Sequence, residues 1–260
     1  MASRDDIVAF LDDLLAVREW EDYGPNGLQV PGADDVSAVA TGVSAHRELF
    51  ERAAAAGAQL VLCHHGLFWD GQPQAVTPAM RGRLKALFDG DLSLAAYHLP
   101  LDAHPEVGNN ALICERLGLE RAEPFGEAKG RPIGFVGRAP GGVAWEELFE
   151  RCRAAFTQRG EEGWETQPLV YAHGPALVHS VGVVSGGGAR MLADAVAAGL
   201  HALLTGEPSE PAMAEAREAG IHFIAAGHYA TETFGIRRLG ELLAVRFGVE
   251  HRFIDIPNPV

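Results

Sequence analysis

The feature that most constrains the fold of this 260-residue chain is an alternation of short apolar, strand-like runs with amphipathic helical segments. Examples of the strand-like runs are QLVLC (59–63) and LSLAAY (92–97), and between these two, residues 78–89 carry apolar side chains at helical spacing. An alternation of this kind favours largely parallel sheets covered by helices. The sequence therefore predicts an α/β fold.

The pattern continues on both sides of residues 120–131, and each half of the chain has enough elements for its own layer. The stretch between them, ERAEPFGEAKGR, is charged, contains Gly and Pro and has no apolar periodicity, which is typical of a linker. We therefore predict two α/β lobes with largely parallel sheets, residues 1–124 and 125–260. The C-terminal strand is a candidate to pack back on the first lobe.

Charge and cysteine content restrict the partners and the compartment. The chain has 35 acidic and 21 basic residues, a formal net charge of −14, which disfavours nucleic acid as a partner. An odd number of cysteines (Cys63, Cys114 and Cys152) in apolar segments indicates buried thiols in a reducing compartment. The acidic N-terminus MASRDDIVAF does not resemble a signal peptide, and no apolar run has a membrane-spanning length. A cytoplasmic location without membrane contact is expected.

Side chains of the kinds that bind metal ions follow the apolar strand-like runs. They are His64 and His65 after QLVLC, His98 and Asp102 after LSLAAY, Glu207 after ALLT (202–205), and His228 and Glu232 after HFIAA (222–226). Because the carboxyl ends of parallel strands meet at one edge of a sheet, we expect these groups to collect there. Imidazole and carboxylate donors together suit Zn, Fe, Mn, Ni or Co.

The spacing of these residues leaves alternatives open. His64 and His65 point to opposite faces of a continuing strand, so both reach one ion only if the strand ends there; otherwise they bind two neighbouring ions. His228 and Glu232 are four residues apart and share a face if a helix has begun. A single histidine at a strand end is also a common structural residue, and Asp102 suits a turn or a helix cap.

Seven longer motifs resemble one known family. They are PNGLQV (25–30), LCHHGLFW (62–69), YHLPLDAHPEVGNN (97–110), SGGGARM (185–191), LLTGEPSE (203–210), AAGHYATETFGIRRL (225–239) and FIDIPNP (253–259). In order and spacing they resemble the Nif-three-like dinuclear metal-centre proteins, also called GTP cyclohydrolase I type 2 homologues. The resemblance covers almost the whole chain and is closest to the compact bacterial form.

The resemblance implies a specific metal site and assembly. The ligands of the family correspond to His64, His65, Asp102, His228 and Glu232, all of which the strand-end argument also selects. It further implies two divalent ions per chain, in a cleft between the two lobes, and a ring-shaped homohexamer. Many family members carry Thr and Asn where this chain has Leu99 and Pro100, and this departure leaves Asp102 in place.

Two functions from different classes fit these observations. The first is a metal-dependent hydrolase, GTP cyclohydrolase-like or phosphoesterase-like, acting on an unidentified small molecule. In this hypothesis Glu207 or His98 moves the proton, and backbone N–H groups of the loop SGGG (185–188) hold a phosphate. The alternative is a non-enzymatic metal-binding hexamer that recruits a partner. Redox chemistry would require iron or manganese, which the ligand set permits without selecting.

Overall fold

The computed structural model describes all residues from Met1 to Val260. The helices are α1 (Arg4–Leu14), α2 (Arg47–Ala55), α3 (Pro78–Asp89), α4 (Leu99–Ala103), α5 (Asn109–Arg116), α6 (Trp145–Phe156), α7 (Leu192–Ala197), α8 (Ala212–Ala219), α9 (His228–Thr231) and α10 (Thr233–Phe247). Two short 3-10 helices cover Val17–Glu19 and Ala189–Met191. None of the helices is long and apolar enough to cross a membrane.

The chain has fifteen strands, most of them short. They are β1 (Ala2–Ser3), β2 (Gly27–Val30), β3 (Asp35–Val36), β4 (Ala38–Ser44), β5 (Leu60–His65), β6 (Ser93–Ala96), β7 (Glu120–Ala128), β8 (Arg131–Ala144), β9 (Gln158–Arg159), β10 (Glu165–Thr166), β11 (Leu169–Ala172), β12 (Leu177–Val183), β13 (Ala202–Thr205), β14 (His222–Ala225) and β15 (Glu250–Phe253). The fold is mixed α/β with several sheets.

The chain forms two compact units, and their boundaries differ from the division predicted at residues 124 and 125. The first unit comprises Met1–Leu101 and Gly235–Ile256, and the second comprises Asp102–Phe234 and Pro257–Val260. The predicted linker is instead strand β7, which pairs antiparallel with β8. The turn between these strands is made by Lys129 and Gly130, both with positive φ. Asp102 therefore belongs to the second unit and not to the first.

The first unit is built on a five-stranded sheet in the order β15-β4-β5-β6-β2. Its first four strands are parallel, and β2 is antiparallel to β6. The predicted parallel arrangement fits this sheet, and the C-terminal strand β15 forms one edge of it. The buried core of this unit includes Leu49, Phe50, Val61, Leu87 and Leu94.

The second unit is built on a six-stranded sheet in the order β11-β14-β13-β12-β8-β7. Only β12, β13 and β14 are mutually parallel, whereas β7, β8 and β11 are joined by antiparallel pairs. The prediction of a largely parallel sheet is therefore wrong for this unit. The parallel centre has only three strands. The β7–β8 hairpin extends it on one side, and the antiparallel edge strand β11 extends it on the other. The core of the unit includes Leu148, Phe156, Val181, Leu204 and Ile224.

The three cysteines are reduced and buried, as predicted. Burial raises the pKa of Cys114 and of Cys152 to about 12 and raises the pKa of Cys63 further still. Cys63 lies in the apolar core of the first unit. All three side chains therefore remain thiols near neutral pH and contribute to packing, so histidines and carboxylates are the donors to consider for a metal site.

Candidate metal centre

Three histidines come together in the first unit. His64 and His65 are the last two residues of β5, and His98 follows β6. The ring centroid of His98 lies 5.1 Å from that of His64 and 5.6 Å from that of His65, and the rings of His64 and His65 are 4.8 Å apart. One ligand nitrogen from each residue lies within 4.8 Å of the other two. This three-histidine group could hold a metal ion.

In each of these three rings, Nδ1 makes a hydrogen bond. His64 Nδ1 contacts the carbonyl oxygen of Tyr97 at 3.0 Å, and His65 Nδ1 contacts Oγ of Ser44 at 3.1 Å. His98 Nδ1 lies 2.7 Å from Oδ1 of Asp22. A hydrogen bond at one ring nitrogen orients the ring and selects the other nitrogen as the metal donor. Nε2 is therefore the candidate donor atom in all three residues.

Asp22 is a buried carboxylate that organises the surroundings of His98. Its side chain is only 2% exposed, and its oxygens also accept hydrogen bonds from Nδ2 of Asn26 and from the backbone N–H of Tyr23 and Leu99. Burial alone would raise the pKa of Asp22, but the hydrogen bonds and charge of His98, with the Asn26 and Tyr23 donors, outweigh it and lower that pKa. Asp22 is therefore an ionised hydrogen-bond acceptor at neutral pH.

Asp102 is buried in the second unit, where one of its oxygens is held by two side chains. Oδ1 accepts hydrogen bonds from Nδ2 of Asn109 at 2.8 Å and from Oγ of Ser185 at 2.9 Å. Asn110 fixes the adjacent backbone, because its amide donates to Ile133 O and accepts from Ser185 N–H. Hydrogen bonds of this kind orient a carboxylate that serves as a metal ligand.

His228 and Glu232 form a pair at the end of β14, with His228 beginning α9 and Glu232 following it. Nε2 of His228 lies 3.1 Å from Oε1 of Glu232, and Nδ1 of His228 lies 2.5 Å from Oε1 of Glu207. Burial opposes the charged form of His228, but the two carboxylates outweigh it and raise the pKa of this histidine to about 9. The ligand oxygens of Asp102 and Glu232 lie within 4.8 Å of one another.

The glycine loop SGGG uses three of its four backbone N–H groups in hydrogen bonds within the protein. The N–H groups of Ser185, Gly186 and Gly188 donate to Asn110 Oδ1, Thr231 Oγ1 and Thr205 Oγ1, respectively. The predicted phosphate cradle is therefore wrong for these three N–H groups. The carbonyl oxygen of Gly186 in turn accepts hydrogen bonds from the N–H groups of Gly206 and Glu207.

The predicted site residues divide between the two units. His64, His65 and His98 belong to the first unit, and Asp102, Glu207, His228 and Glu232 belong to the second. Two of their buried atoms, His64 Nε2 and Glu232 Oε2, make no hydrogen bond. Beside His64 and His98, a pocket of the first unit is lined by Asn26, Gln29, Phe68 and Trp69, among other residues.

The residues that position these ligands were not predicted from the sequence to do so. They are Asp22, Asn109, Asn110, Ser185, Gly186 and Thr231. Asn109 and Asn110 lie in the motif YHLPLDAHPEVGNN, and Ser185 lies in the motif SGGGARM. The family resemblance therefore indicated their segments of the chain but not their individual roles. Asp22 had a weaker signal, a carboxylate just before the turn-forming residues 24–26.

The fold and these side chains define a mixed α/β protein with histidine and carboxylate groups that could hold a metal ion. The model of the Duf34/NIF3 (NGG1p interacting factor 3) family matches residues 2–259, and the chain belongs to this family. This confirms the resemblance seen in the sequence.

Curated relatives and solved structures agree with this assignment. A "GTP cyclohydrolase 1 type 2 homolog" from Deinococcus radiodurans is 40% identical over 98% of this chain and 94% of its own length. One with the same name from Pseudomonas aeruginosa is 41% identical over 97% of each chain. Among solved structures, the ybgI protein, described as of unknown function, has a TM-score of 0.90 and 37% identity, with full coverage of both chains.

Proposed function

We propose that this chain binds two divalent metal ions and uses them to hydrolyse a small-molecule substrate that is still unidentified. The observation that carries the proposal is the way the candidate ligands are held. His64, His65 and His228 are each hydrogen-bonded through Nδ1, and Asp102 is hydrogen-bonded through Oδ1. A hydrogen bond at one donor atom, which orients the other, is the usual environment of metal ligands.

In this proposal the ligands are His64, His65, Asp102, His228 and Glu232. We propose, on the family resemblance, that these five residues together serve one pair of ions. Zn, Fe, Mn, Ni and Co all suit the donor set, which has no thiolate. When bound, such ions lower the pKa of a coordinated water toward neutrality and so supply hydroxide for hydrolysis.

Glu207 has two tasks in this reaction. Its hydrogen bond to Nδ1 of His228 orients the imidazole, and its side chain is 41% exposed, so it can also exchange a proton with solvent. Glu207 is therefore the proposed proton carrier of the second unit. His98, the other proton carrier predicted from the sequence, belongs to the three-histidine group of the first unit.

The name shared by the relatives, GTP cyclohydrolase 1 type 2 homolog, favours a substrate with phosphate groups or a hydrolysable C–N bond. A chain with a formal net charge of −14 repels an anionic nucleotide at long range. The bound cations would supply the local positive charge that such a substrate needs. Turnover should therefore depend on metal occupancy.

A second candidate function is a non-enzymatic metal-binding scaffold, and one observation favours it. Three of the four backbone N–H groups of the glycine loop donate to groups inside the protein and are not available to an anion, as they would be in a nucleotide hydrolase that used this loop. In this alternative the ions are structural and a ring-shaped homohexamer recruits a partner. The hexamer, proposed on the family resemblance, is common to both functions.

The test combines metal analysis with turnover. Protein purified without chelator should contain about two divalent ions per chain, the number of the proposed two-metal site. Glu232→Gln should lose far more metal than Glu207→Gln, because the first change removes a ligand charge and the second alters only a hydrogen bond to a ligand. Equal losses would contradict this ligand assignment.

Turnover is measured with GTP, other nucleotides and generic phosphoesters, comparing metal-loaded wild type with His64→Ala. A hydrolase loses activity with this substitution. Full metal occupancy without turnover of any compound would favour the scaffold, and activity that survives the substitution would come from a contaminant.

A further inference from the structure

His98 is the third imidazole of the first unit, and its place follows from the local fold. It stands between the end of β6 and the start of α4, beside the carboxyl end of β5 where His64 and His65 lie. One ring nitrogen of His98 is within 4.8 Å of one ring nitrogen of each of the other two histidines. Ligands on one zinc ion, each roughly 2.0–2.1 Å from the metal, lie within about 4 Å of one another, so small side-chain rotations suffice.

Asp22 determines which nitrogen of His98 carries the hydrogen. A carboxylate can only accept, so the contact of 2.7 Å between Oδ1 of Asp22 and Nδ1 of His98 requires a hydrogen on Nδ1. Nε2 then has a lone pair in the neutral ring. Asp22 is itself fixed, because Oδ2 accepts hydrogen bonds from Nδ2 of Asn26 and from the backbone N–H of Leu99, both at 2.9 Å.

The plane of the His98 ring is also constrained. The Trp69 ring contacts it edge-on, with 5.0 Å between centroids and 84° between planes. The backbone N–H of His98 donates to Oδ1 of Asn26 at 2.7 Å, which holds the main chain of His98 to the same loop as Asp22. The tautomer, the ring plane and the backbone of His98 are therefore all fixed by neighbours within the first unit.

From this geometry we propose that His98 is an additional metal ligand, through Nε2, and that Asp22 is the residue that positions it. The first unit then offers three imidazoles, His64, His65 and His98, to one divalent transition-metal ion of the zinc, cobalt, nickel or iron class. The inference rests on the proposed function and extends its ligand set. It also gives His98 a role other than that of proton carrier.

The test uses the full-length chain loaded with Co²⁺, whose visible spectrum reports ligand number and type, together with chelator competition for affinity. His98→Ala should weaken retention of one ion by at least tenfold and shift the Co²⁺ absorption bands. Asp22→Asn should weaken retention of the same ion by about 10–100-fold, the usual effect of losing a hydrogen bond to a ligand. X-ray absorption of His98→Ala should show one imidazole fewer per chain.

Two control variants match these changes. Glu21→Gln removes an exposed carboxylate next to Asp22, and His179→Ala removes an exposed histidine of the second unit. Both should keep wild-type spectra and affinity within about twofold, because neither residue belongs to the three-histidine group. Thermal unfolding of metal-free protein shows whether each variant folds, and His98→Asn replaces His98→Ala if the alanine variant does not.

The outcomes separate this inference from the proposed function. Unchanged spectra and affinity in folded His98 and Asp22 variants, with about two ions in the wild type, would overturn the inference alone. A purely structural Asp22–His98 pair would give that result together with a lower unfolding temperature. Wild type that binds no Co²⁺ would overturn both.

Discussion

Because Gly186 has no side chain, it leaves room for the contact between Glu232 and His228. A Cβ atom built there would overlap Oε1 of Glu232 and lie 3.1 Å from Nε2 of His228. The residue also has a φ of 61°, in the left-handed region that favours glycine. Position 187 is the natural comparison, because a Cβ atom there meets nothing within 4 Å.

Gly186→Ala should therefore destabilise the protein by about 2–4 kcal/mol, from backbone strain and from crowding of the carboxylate. It should also displace Glu232 and reduce metal retention. Gly187→Ala should change the free energy of unfolding by less than about 0.5 kcal/mol. Urea unfolding and metal analysis of the two variants measure this difference, and similar behaviour of both would show that Gly186 does not shape the pair.

The protonation of His228 makes metal binding depend on pH. With a pKa of about 9 in the metal-free protein, His228 is cationic at pH 7, whereas a metal ligand must be the neutral imidazole. Affinity should therefore rise by up to tenfold per pH unit from pH 7 to pH 9 and then level off. Calorimetry in buffers of different ionisation enthalpy should show a proton released from His228 at pH 7.

Two further results check this pH dependence. Because the pKa of His228 is raised on folding, its contribution to the stability of metal-free protein is full below pH 6.5 and declines as pH rises to 9. Glu207→Gln removes one of the two carboxylates responsible and should reduce the proton release. Metal affinity independent of pH over this range would contradict the assignment of His228.

At the scale of helices and strands, the elements with a clear pattern of apolar residues were predicted from the sequence. Strands β5, β6, β13 and β14 coincide with the apolar runs, and helix α3 lies where apolar spacing predicted it. Strand β7 was missed because most of its residues are exposed or half-exposed and four of the nine are charged, as expected at a sheet edge. Its partner β8 continues through Pro140, Gly141 and Gly142, residue types that usually indicate a loop.

The candidate ligands could be predicted from the topology of the sheets. The residues that hydrogen-bond to these ligands could not be predicted in this way. Strands β12, β13 and β14 are parallel, so the residues that follow them reach the same edge of the second sheet. By contrast, Ser185 and Asp102 are 83 positions apart in the chain, and Asp22 and His98 are 76 apart. No local pattern encodes such pairs, because each depends on how distant elements pack.

On the scale of the whole molecule, the first unit is assembled from two distant parts of the chain. Its second part, Gly235–Ile256, supplies most of α10 and all of β15. Ile236, Leu239 and Leu243 of this helix are fully buried, and β15 pairs with β4 along Glu250–Phe253. Burial of three such side chains contributes roughly 5–9 kcal/mol, comparable with the total stability of a domain.

A fragment cut at the boundary predicted from the sequence, residues 1–124, should therefore fail to fold. It lacks α10 and β15, and it carries only the first five residues of β7, without the partner strand β8. The matched construction joins residues 1–101 to residues 235–256 through a flexible linker of about ten Gly and Ser residues, with a reach of roughly 17 Å. We expect circular dichroism to show a cooperative thermal transition for the joined form only. A cooperative transition in the 1–124 fragment would mean that the first sheet is stable without its C-terminal strand and that the chain divides as its sequence pattern indicated.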